Sequence, residues 1–350
     1  MRDLRSTLAG AMPLVVAALL ALLLLVLQLR VGAAAAERSE AQGPAEPVLQ
    51  QQEEAAPEEQ APPVEEPGPF AGGIARSQSW TGSRALETAR ADGRGVAAEL
   101  EELAEQPVST WLGDWARGDG LEGMLERQLD HAESTGGTPV FVVYGIPGRD
   151  CGLYSAGGLE ERDYLDWIGR IADSLSGRDA AVVLEPDALA QLGDCEGQGD
   201  RLGLLSDATG LLAASGAAVY LDAGHSNWVA AEVMADRLQR AGVAQARGFA
   251  TNVSNFYRTS DEQAYAERIR SLIGGDYVID VSRNGAGPQG EWCNPSGAAL
   301  GEHPRAVDDA TGLDALLWIK TPGQSDGTCN GGPAAGEWWE QAALRLLRNR

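Results

Sequence analysis

Residues 140–147 read VFVVYGIP, an apolar run of strand length that recurs along the chain roughly every 30 to 40 residues. The later runs lie at residues 180–186, 217–222, 248–253, 277–281 and 315–320, and a shorter run lies at 108–112. Amphipathic stretches of helical period separate them, at residues 161–175, 201–214, 228–239 and 261–273. Strands that are apolar on both faces, with a helix in each gap, predict a parallel sheet with right-handed crossovers.

The number of strands and the length of the repeating part decide between two α/β architectures. About seven strands over roughly 270 residues favour a distorted (β/α) barrel of parallel strands. A doubly wound sheet is disfavoured because no G-x-G-x-x-G turn follows the first strand.

Two segments precede the predicted barrel, which we place at residues 77–350. Residues 1–36 combine a basic start, an apolar run and a tail of small residues, which predicts either a cleaved signal peptide or an uncleaved membrane anchor. Residues 37–76 form a predicted disordered linker, because residues 37–70 hold nine glutamates and seven prolines with a single aromatic side chain. We therefore expect a secreted protein, or an extracellular one held at the membrane by its N-terminal segment.

The overall composition excludes several classes of function. The chain has 350 residues and a formal net charge of -24, which argues against a nucleic-acid partner because phosphate binding needs a basic surface. It has three histidines, four cysteines and neither a C-x-x-C nor an H-E-x-x-H motif, so no metal site and no cofactor are expected. Lys320 is the single lysine beside 26 arginines, which suggests a position that needs a compact ammonium group.

Polar side chains follow nearly every predicted strand. Functional groups of parallel α/β folds gather at the carboxyl ends of the strands. The carboxylates at these ends include Asp150, Asp187, Asp222, Asp280 and Asp326. A single aspartate after a strand is usually a turn or capping residue, but several on one rim predict general acid and base catalysis on a neutral substrate. Glycoside hydrolysis fits this pattern, since it uses paired carboxylates and aromatic faces that stack on sugar rings.

Seven motifs in order resemble glycoside hydrolase family 6, the inverting cellulases. They are GIPGRDC (145–151), VLEPDALA (183–190), YLDAGHSNW (220–228), ATNVSNF (250–256), DVSRNG (280–285), EWCNPSG (291–297) and WIKTPGQSDG (318–327). The resemblance runs from about residue 108 to the C-terminus. It implies a distorted barrel, an active-site cleft or tunnel at the carboxyl rim, and cleavage of β-1,4-glucan with inversion.

The resemblance also assigns roles to individual positions. Asp187 matches the general acid, and Asp150 matches the carboxylate that raises the pKa of the acid and relays a proton from the attacking water. Asp326 matches a debated base candidate, Asp222 a supporting carboxylate, and Tyr144 the residue that crowds the distorted sugar. Substrate-contacting positions are matched by Trp111, Trp228, Asn252, Trp292, Lys320 and Gln324. Trp228 and Trp292 are the strongest candidates for sugar stacking, because each lies in a polar loop just past a strand.

Two positions depart from the family pattern. Gln324 stands where a glutamate is common, and Ala156 stands where a water-holding serine is common, although Ser155 is adjacent.

The four cysteines of an exported chain are expected to form two disulfide bonds, and four cysteines can pair in three ways. The resemblance selects Cys151 with Cys195 and Cys293 with Cys329.

Three functions remain open at this point. Asp326 and Cys329 are only three residues apart, which predicts short loops and an open cleft, and therefore an endo-β-1,4-glucanase acting on soluble or amorphous glucan. A cellobiohydrolase of the same family is the first alternative. A non-catalytic glucan-binding protein is the second, because of Ala156 and Gln324. Nothing in the sequence indicates oligomerisation, and a monomer is expected.

Overall fold

The computed structural model describes residues 68–78, 80–309 and 311–350, and all of these belong to a single compact unit. The predicted export segment lies outside the described residues. None of the helices in the described ranges is long and apolar enough to cross a bilayer.

Eight strands of the described residues build one sheet, and seven of them run parallel. In chain order the strands are β1 (Thr110–Gly113), β2 (Val140–Tyr144), β3 (Ala181–Leu184), β4 (Ala218–Asp222), β5 (Gly248–Thr251), β6 (Asp276–Asp280), β7 (Arg305–Ala306) and β8 (Leu313–Leu317). The spatial order is β1-β2-β3-β4-β5-β6-β8-β7, and the two-residue β7 pairs antiparallel with β8 at the edge. The predicted α/β fold with about seven parallel strands is confirmed.

Eight α-helices accompany this sheet in the part of the chain that the structure describes. They are α1 (Thr81–Ala91), α2 (Ala97–Ala104), α3 (Asp119–Thr135), α4 (Glu161–Leu175), α5 (Arg201–Ala214), α6 (Ala231–Arg240), α7 (Thr259–Ile273) and α8 (Glu340–Arg348). The bounds of α4 and α5 agree with the helices that the spacing of apolar residues predicted, at residues 161–175 and 201–214. The expectation of a helix in every gap is wrong between β6 and β8, because the described residues there form irregular loops and β7.

The two faces of the sheet bury separate clusters of apolar side chains. Val140, Ala181 and Ala250 belong to the cluster on the inside, while Phe141 and Phe249 belong to the larger cluster that includes the helices. Phe70 also enters this interior and stacks on Tyr220, with ring centroids 6.4 Å apart. The packed part of the chain therefore extends N-terminal to residue 77, where the linker was predicted to end.

The two ends of the parallel sheet approach each other without forming a ladder. The backbone N–H of Ser109 donates to the carbonyl of Trp318 over 3.1 Å, and the indole N–H of Trp111 donates to the carbonyl of Ile319 over 2.8 Å. The result is a curled half-barrel whose open seam lies between β1 and β8. This seam matters for function because Trp111 and Lys320 lie at its carboxyl end.

Candidate active site

A cleft opens at the carboxyl ends of the strands and contains two adjoining cavities. The first has a volume of about 450 Å³ and the second a volume of about 620 Å³. Eight residues predicted for the site line the first cavity: Trp111, Tyr144, Asp150, Asp187, Trp228, Trp292, Lys320 and Asp326. Gln324 lines the second cavity, together with Trp111, Tyr144 and Lys320.

Asp187 lies on the sharp turn after β3 and is held by its backbone. Asp187 adopts a left-handed conformation with φ 69°, and its N–H donates to Oδ2 of Asp222 over 2.8 Å. Oδ2 of Asp222 also accepts the N–H of Gly224, so this buried carboxylate clamps two turns together. Burial, and then the negative charge of Asp150, raise the pKa of Asp187 to about 7, although Lys320 opposes the shift. Asp187 can therefore carry a proton at mildly acidic pH.

Asp150 lies across the first cavity on a loop that a disulfide secures. Asp150 and Cys151 both have left-handed φ values, 57° and 47°, and Cys151 is bonded to Cys195. One carboxylate oxygen of Asp150 accepts the backbone N–H of Ser155 over 2.7 Å, and the other accepts Nε2 of Gln191 over 3.4 Å. Burial raises the pKa of Asp150 above its usual value, despite these donors.

Asp326 is surrounded by cations and donors, unlike the other two aspartates. Both of its oxygens lie 2.9 Å from Nη1 of Arg283, and Oδ2 accepts the backbone N–H of Asn294 over 3.0 Å. Nζ of Lys320 lies 3.5 Å from Oδ1. Burial alone would raise the pKa of Asp326, but Arg283 and Lys320 outweigh it and hold the pKa below the usual range. Asp326 is therefore an ionised carboxylate whose lone pairs are already occupied.

Neighbouring residues contact both the side chain and the backbone of Lys320 and so fix its position. Its ammonium group lies 5.9 Å from the ring centroid of Trp111. Its backbone N–H donates to Oδ2 of Asp280 over 2.9 Å, and Asp280 also accepts the N–H groups of Ser254 and Ser282. The single lysine of the chain thus lies in the cleft, with its position set by a buried carboxylate.

The predicted aromatic residues differ in how they meet the cleft. Trp111 is half-buried and packs edge-on against Tyr144, with ring centroids 5.3 Å apart. Trp228 is 37% exposed and Trp292 is 51% exposed, so both offer open ring surface. Trp292 also touches Tyr154 of the Asp150 loop, with centroids 5.9 Å apart. This contact joins the Asp150 loop to the loop that carries Trp292.

Two of the predicted site residues do not line the cleft. Asp222 is buried behind Asp187, which agrees with a supporting position. Asn252 is fully buried, and its amide nitrogen donates to the carbonyls of Tyr257 and Asp280 while its oxygen accepts the N–H of Tyr257. With both ends of its side chain bonded to backbone, Asn252 shapes the loop after β5 and does not line either cavity. Its role as a substrate contact stays a prediction.

Several residues that shape the cleft were not selected from the sequence. Arg149 donates to Oδ1 of Asp114 and to the carbonyl of Tyr144, over 2.9 and 2.7 Å, and so fastens the Asp150 loop. Arg283 fixes Asp326, as described above. His225 stacks on Tyr257 with centroids 4.3 Å apart, and burial lowers its pKa to about 4, so it is neutral. The motifs G-R-D and S-R-N contain both arginines, but their spacing alone does not show which carboxylate each one meets.

Glu185 also belongs to this unselected group. It is buried at the end of β3, where both of its oxygens accept the backbone N–H of Gly145. Burial raises its pKa to about 7. Glu185, Asp222 and Asp280 share one arrangement: each buried carboxylate at a strand end accepts N–H groups from a neighbouring turn. These residues position the loops that carry the cleft, and they face protein rather than solvent.

The four cysteines pair as the resemblance implied, Cys151 with Cys195 and Cys293 with Cys329. One bridge anchors the loop of Asp150, and the other anchors the loop of Trp292 to the segment after Asp326. In the part of the chain that the structure describes, no group of three or more His, Cys, Asp and Glu side chains is arranged to hold a metal ion.

Known proteins share this fold and these motifs. Endoglucanase A of Cellulomonas fimi is 51% identical over 253 residues, which is 72% of this chain and 56% of that protein. The solved endoglucanase Cel6 of Mycobacterium tuberculosis, in complex with a thio-linked cello-oligosaccharide, is 43% identical, with a TM-score of 0.76 over 81% of this chain and 99% of that one. Exoglucanase-6A of Humicola insolens is more distant, at 28% identity over 324 residues, 73% of this chain and 68% of that protein.

The match to a family model covers almost the whole described part of the chain. The model for glycosyl hydrolases family 6 matches residues 75–350. Together with the half-barrel and the aspartate cleft, this match shows that the chain belongs to glycosyl hydrolase family 6.

Proposed function

We propose that the protein is an inverting endo-β-1,4-glucanase in which Asp187 is the general acid. The observation that carries this proposal is the pairing of Asp187, whose pKa is raised to about 7, with Asp150 across a cleft lined by exposed tryptophans. A carboxyl group that keeps its proton near neutral pH can donate it to a glycosidic oxygen as the bond breaks. The exposed rings of Trp228 and Trp292 supply faces for neutral sugar units.

The surroundings of the three cleft aspartates support a division of labour among them. Asp187 protonates the leaving oxygen while water attacks the anomeric carbon from the opposite face, and the proton lost by this water passes to Asp150. Asp326 is a poor base because Arg283 and Lys320 stabilise its charge and occupy its oxygens. In this proposal Asp326 instead anchors Lys320 beside the sugar.

Ser155 supports activity despite the alanine at position 156. Ser155 lines both cavities, and its backbone N–H donates to Asp150. This bond places the backbone of Ser155 directly against the Asp150 carboxylate. We propose that Ser155 holds the attacking water, so the departure at Ala156 does not favour a non-catalytic protein.

One contact favours a second candidate, a cellobiohydrolase. The ring of Tyr154 lies 5.9 Å from the ring of Trp292, and a cleft enclosed by contacts between its loops would favour attack at chain ends. The endo mode is the better supported, since the loop from Asp326 to Cys329 is short and both the Cellulomonas and the Mycobacterium relatives are named endoglucanases.

An assay of viscosity against reducing ends tests the endo mode. An endoglucanase lowers the viscosity of carboxymethylcellulose steeply for each new reducing end, while a cellobiohydrolase releases mainly cellobiose and leaves viscosity nearly unchanged. Asp187→Asn should abolish both signals. Asp207→Asn, an exposed aspartate on α5, is the matched control and should keep them. A β anomer as the first product would contradict inversion.

We propose an extracellular location as well. Two disulfides fit an oxidising compartment. Fractionation of expressing cells tests this: recovery of the intact protein from the cytoplasm would contradict it, while recovery from the medium or from the membrane fraction would distinguish the two forms of export.

A further inference from the structure

Trp115 presents an open aromatic surface at the far end of the second cavity. Its side chain is 59% exposed, the highest value among the large apolar side chains of the described residues. An exposed tryptophan ring in a cavity is a typical site for a ligand with apolar faces. The resemblance to family 6 assigned it no role, and it is not a core residue.

The cavity that contains Trp115 continues directly from the catalytic cavity. Both are lined by Trp111, Tyr144, Ser155 and Lys320, so a chain bound beside Asp187 can extend into the second cavity past Tyr144. Trp115 lies beyond these shared residues. A linear polymer that fills the catalytic cavity is therefore the natural occupant of both.

The ring of Trp115 is already held in place before any ligand binds. A Cβ on Gly113 would lie 2.2 to 2.6 Å from three ring atoms, so the ring rests directly on this glycine. The guanidinium of Arg149 lies 5.3 Å from the ring centroid and is itself fixed by Asp114 and Tyr144. A ring that is ordered in advance loses little conformational entropy on binding.

The polar groups of the second cavity fit a neutral sugar. Gln324 and the exposed Glu337 line it, and both can accept hydrogen bonds from hydroxyl groups. The described cations that line it, Arg149 and Lys320, are each paired with a carboxylate. The cavity thus offers aromatic surface and hydroxyl partners without an unpaired cation for an anionic ligand.

From these observations we propose that Trp115 is the platform of a further glucan subsite, which binds a sugar unit of the chain beyond the units held at Trp111 and Tyr144. This inference rests on the proposed glucanase function. It makes binding depend on chain length, since only a long oligosaccharide reaches from the catalytic cavity to Trp115.

The test measures binding of cellotriose and cellohexaose by calorimetry, in the Asp187→Asn background so that neither ligand is cleaved. Trp115→Ala should lower the ratio of cellohexaose affinity to cellotriose affinity about tenfold, equivalent to about 1.4 kcal/mol at 25 °C. Trp115→Tyr, which keeps an aromatic face, should restore most of this ratio. Leu211→Ala, which changes an exposed apolar side chain on α5, is the matched control.

Thermal unfolding of each variant checks that the fold persists. An unchanged affinity ratio in Trp115→Ala would overturn the subsite, and so would the same fall in Leu211→Ala. The proposed function fails separately, if the unsubstituted protein cleaves no β-1,4-glucan. In that case the calorimetric ratio still decides whether Trp115 binds sugar.

Discussion

Two regions of one cleft shift the pKa of their aspartates in opposite directions. In the acid region, formed by Asp150 and Asp187 on the turns after β2 and β3, burial raises both carboxyl pKa values, and the charge of Asp150 raises that of Asp187 further. In the ion-pair region, formed by Arg283, Lys320 and Asp326 after β6 and β8, two cations hold the aspartate pKa below its usual value. Both regions are desolvated, so the difference comes from the cations. One region can move protons, whereas the other supplies a fixed charge.

The largest expected effect comes from removing the cation that defines the ion-pair region. Arg283→Met leaves the buried carboxylate of Asp326 with only Lys320 as its cation partner, and breaking a buried pair costs about 3–5 kcal/mol. Urea unfolding should show this loss. Arg240→Met, which breaks an exposed pair with Asp236, should cost less than about 1 kcal/mol. Equal losses in the two variants would show that the Arg283 pair is no stronger than a surface contact.

The next effect tests the acid region. Asp150→Asn should lower kcat by about 10²-fold or more, because it removes the group proposed to accept the proton of water. It also removes the negative charge that raises the pKa of Asp187. The alkaline limb of the pH-rate profile, expected near pH 7, should therefore move to lower pH. A limb that stays in place would mean that burial alone sets the pKa of Asp187.

The buried acids of this region also predict how stability varies with pH. Glu185 and Asp187 have folded pKa values of about 7, above their unfolded values, so the folded state binds more protons between about pH 4 and 7. As pH rises from 5 to 8, each of the two groups should therefore lower the free energy of unfolding by about 2.5 kcal/mol.

Asp326 has the opposite sign, because its folded pKa is depressed and its contribution is lost as pH falls through that pKa. The free energy of unfolding should consequently be greatest near pH 4 to 5, between the loss on the acidic side and the loss on the alkaline side. Urea unfolding at a series of pH values measures the curve. Glu185→Gln should flatten its alkaline side, and a stability that rises from pH 5 to 8 would contradict the assignment.

The smallest effect concerns Gln324, beside the ion-pair region. Gln324→Glu should lower KM for cello-oligosaccharides about two- to threefold, since a carboxylate accepts stronger hydrogen bonds from hydroxyls than an amide does. The value of kcat should change little, because Gln324 lines the second cavity, away from Asp187. Initial rates over a range of cellohexaose concentrations separate the two parameters. A change confined to kcat would place Gln324 nearer the reacting bond.

The sequence predicted the elements of the fold closely where the apolar period was regular. The predicted ranges of α4 and α5 agree with the structure, and each predicted strand overlaps an observed one. The prediction failed between β6 and β8, where the described residues form β7 and irregular loops instead of a helix. The polar loops there, which Cys293 and Asp280 stabilise, have no apolar periodicity. The sequence pattern therefore could not predict their structure.

The candidate site was predicted less evenly than the fold. The motif resemblance brought Asp150, Asp187 and Asp326 to one cleft, which the structure also does. It did not show that Asn252 is buried outside the cavity lining, because an asparagine after a strand has the same sequence signature whether it faces a cavity or bonds to backbone. Trp115 was not selected from the sequence for a similar reason. The exposure of a side chain depends on tertiary packing, and the neighbouring residues in the sequence do not show it.

The sequence by itself determined the sheet, the family and the identity of the carboxylates, because apolar periodicity and ordered motifs are local features. Only the tertiary structure decided which carboxylates meet a cation. Arg283 and Asp326 lie 43 positions apart in the chain and 2.9 Å apart in space. This contact lowers the pKa of Asp326, whereas the pKa of Asp187 is raised. A pKa depends on burial and on charges within a few ångströms, and the folded chain alone sets both.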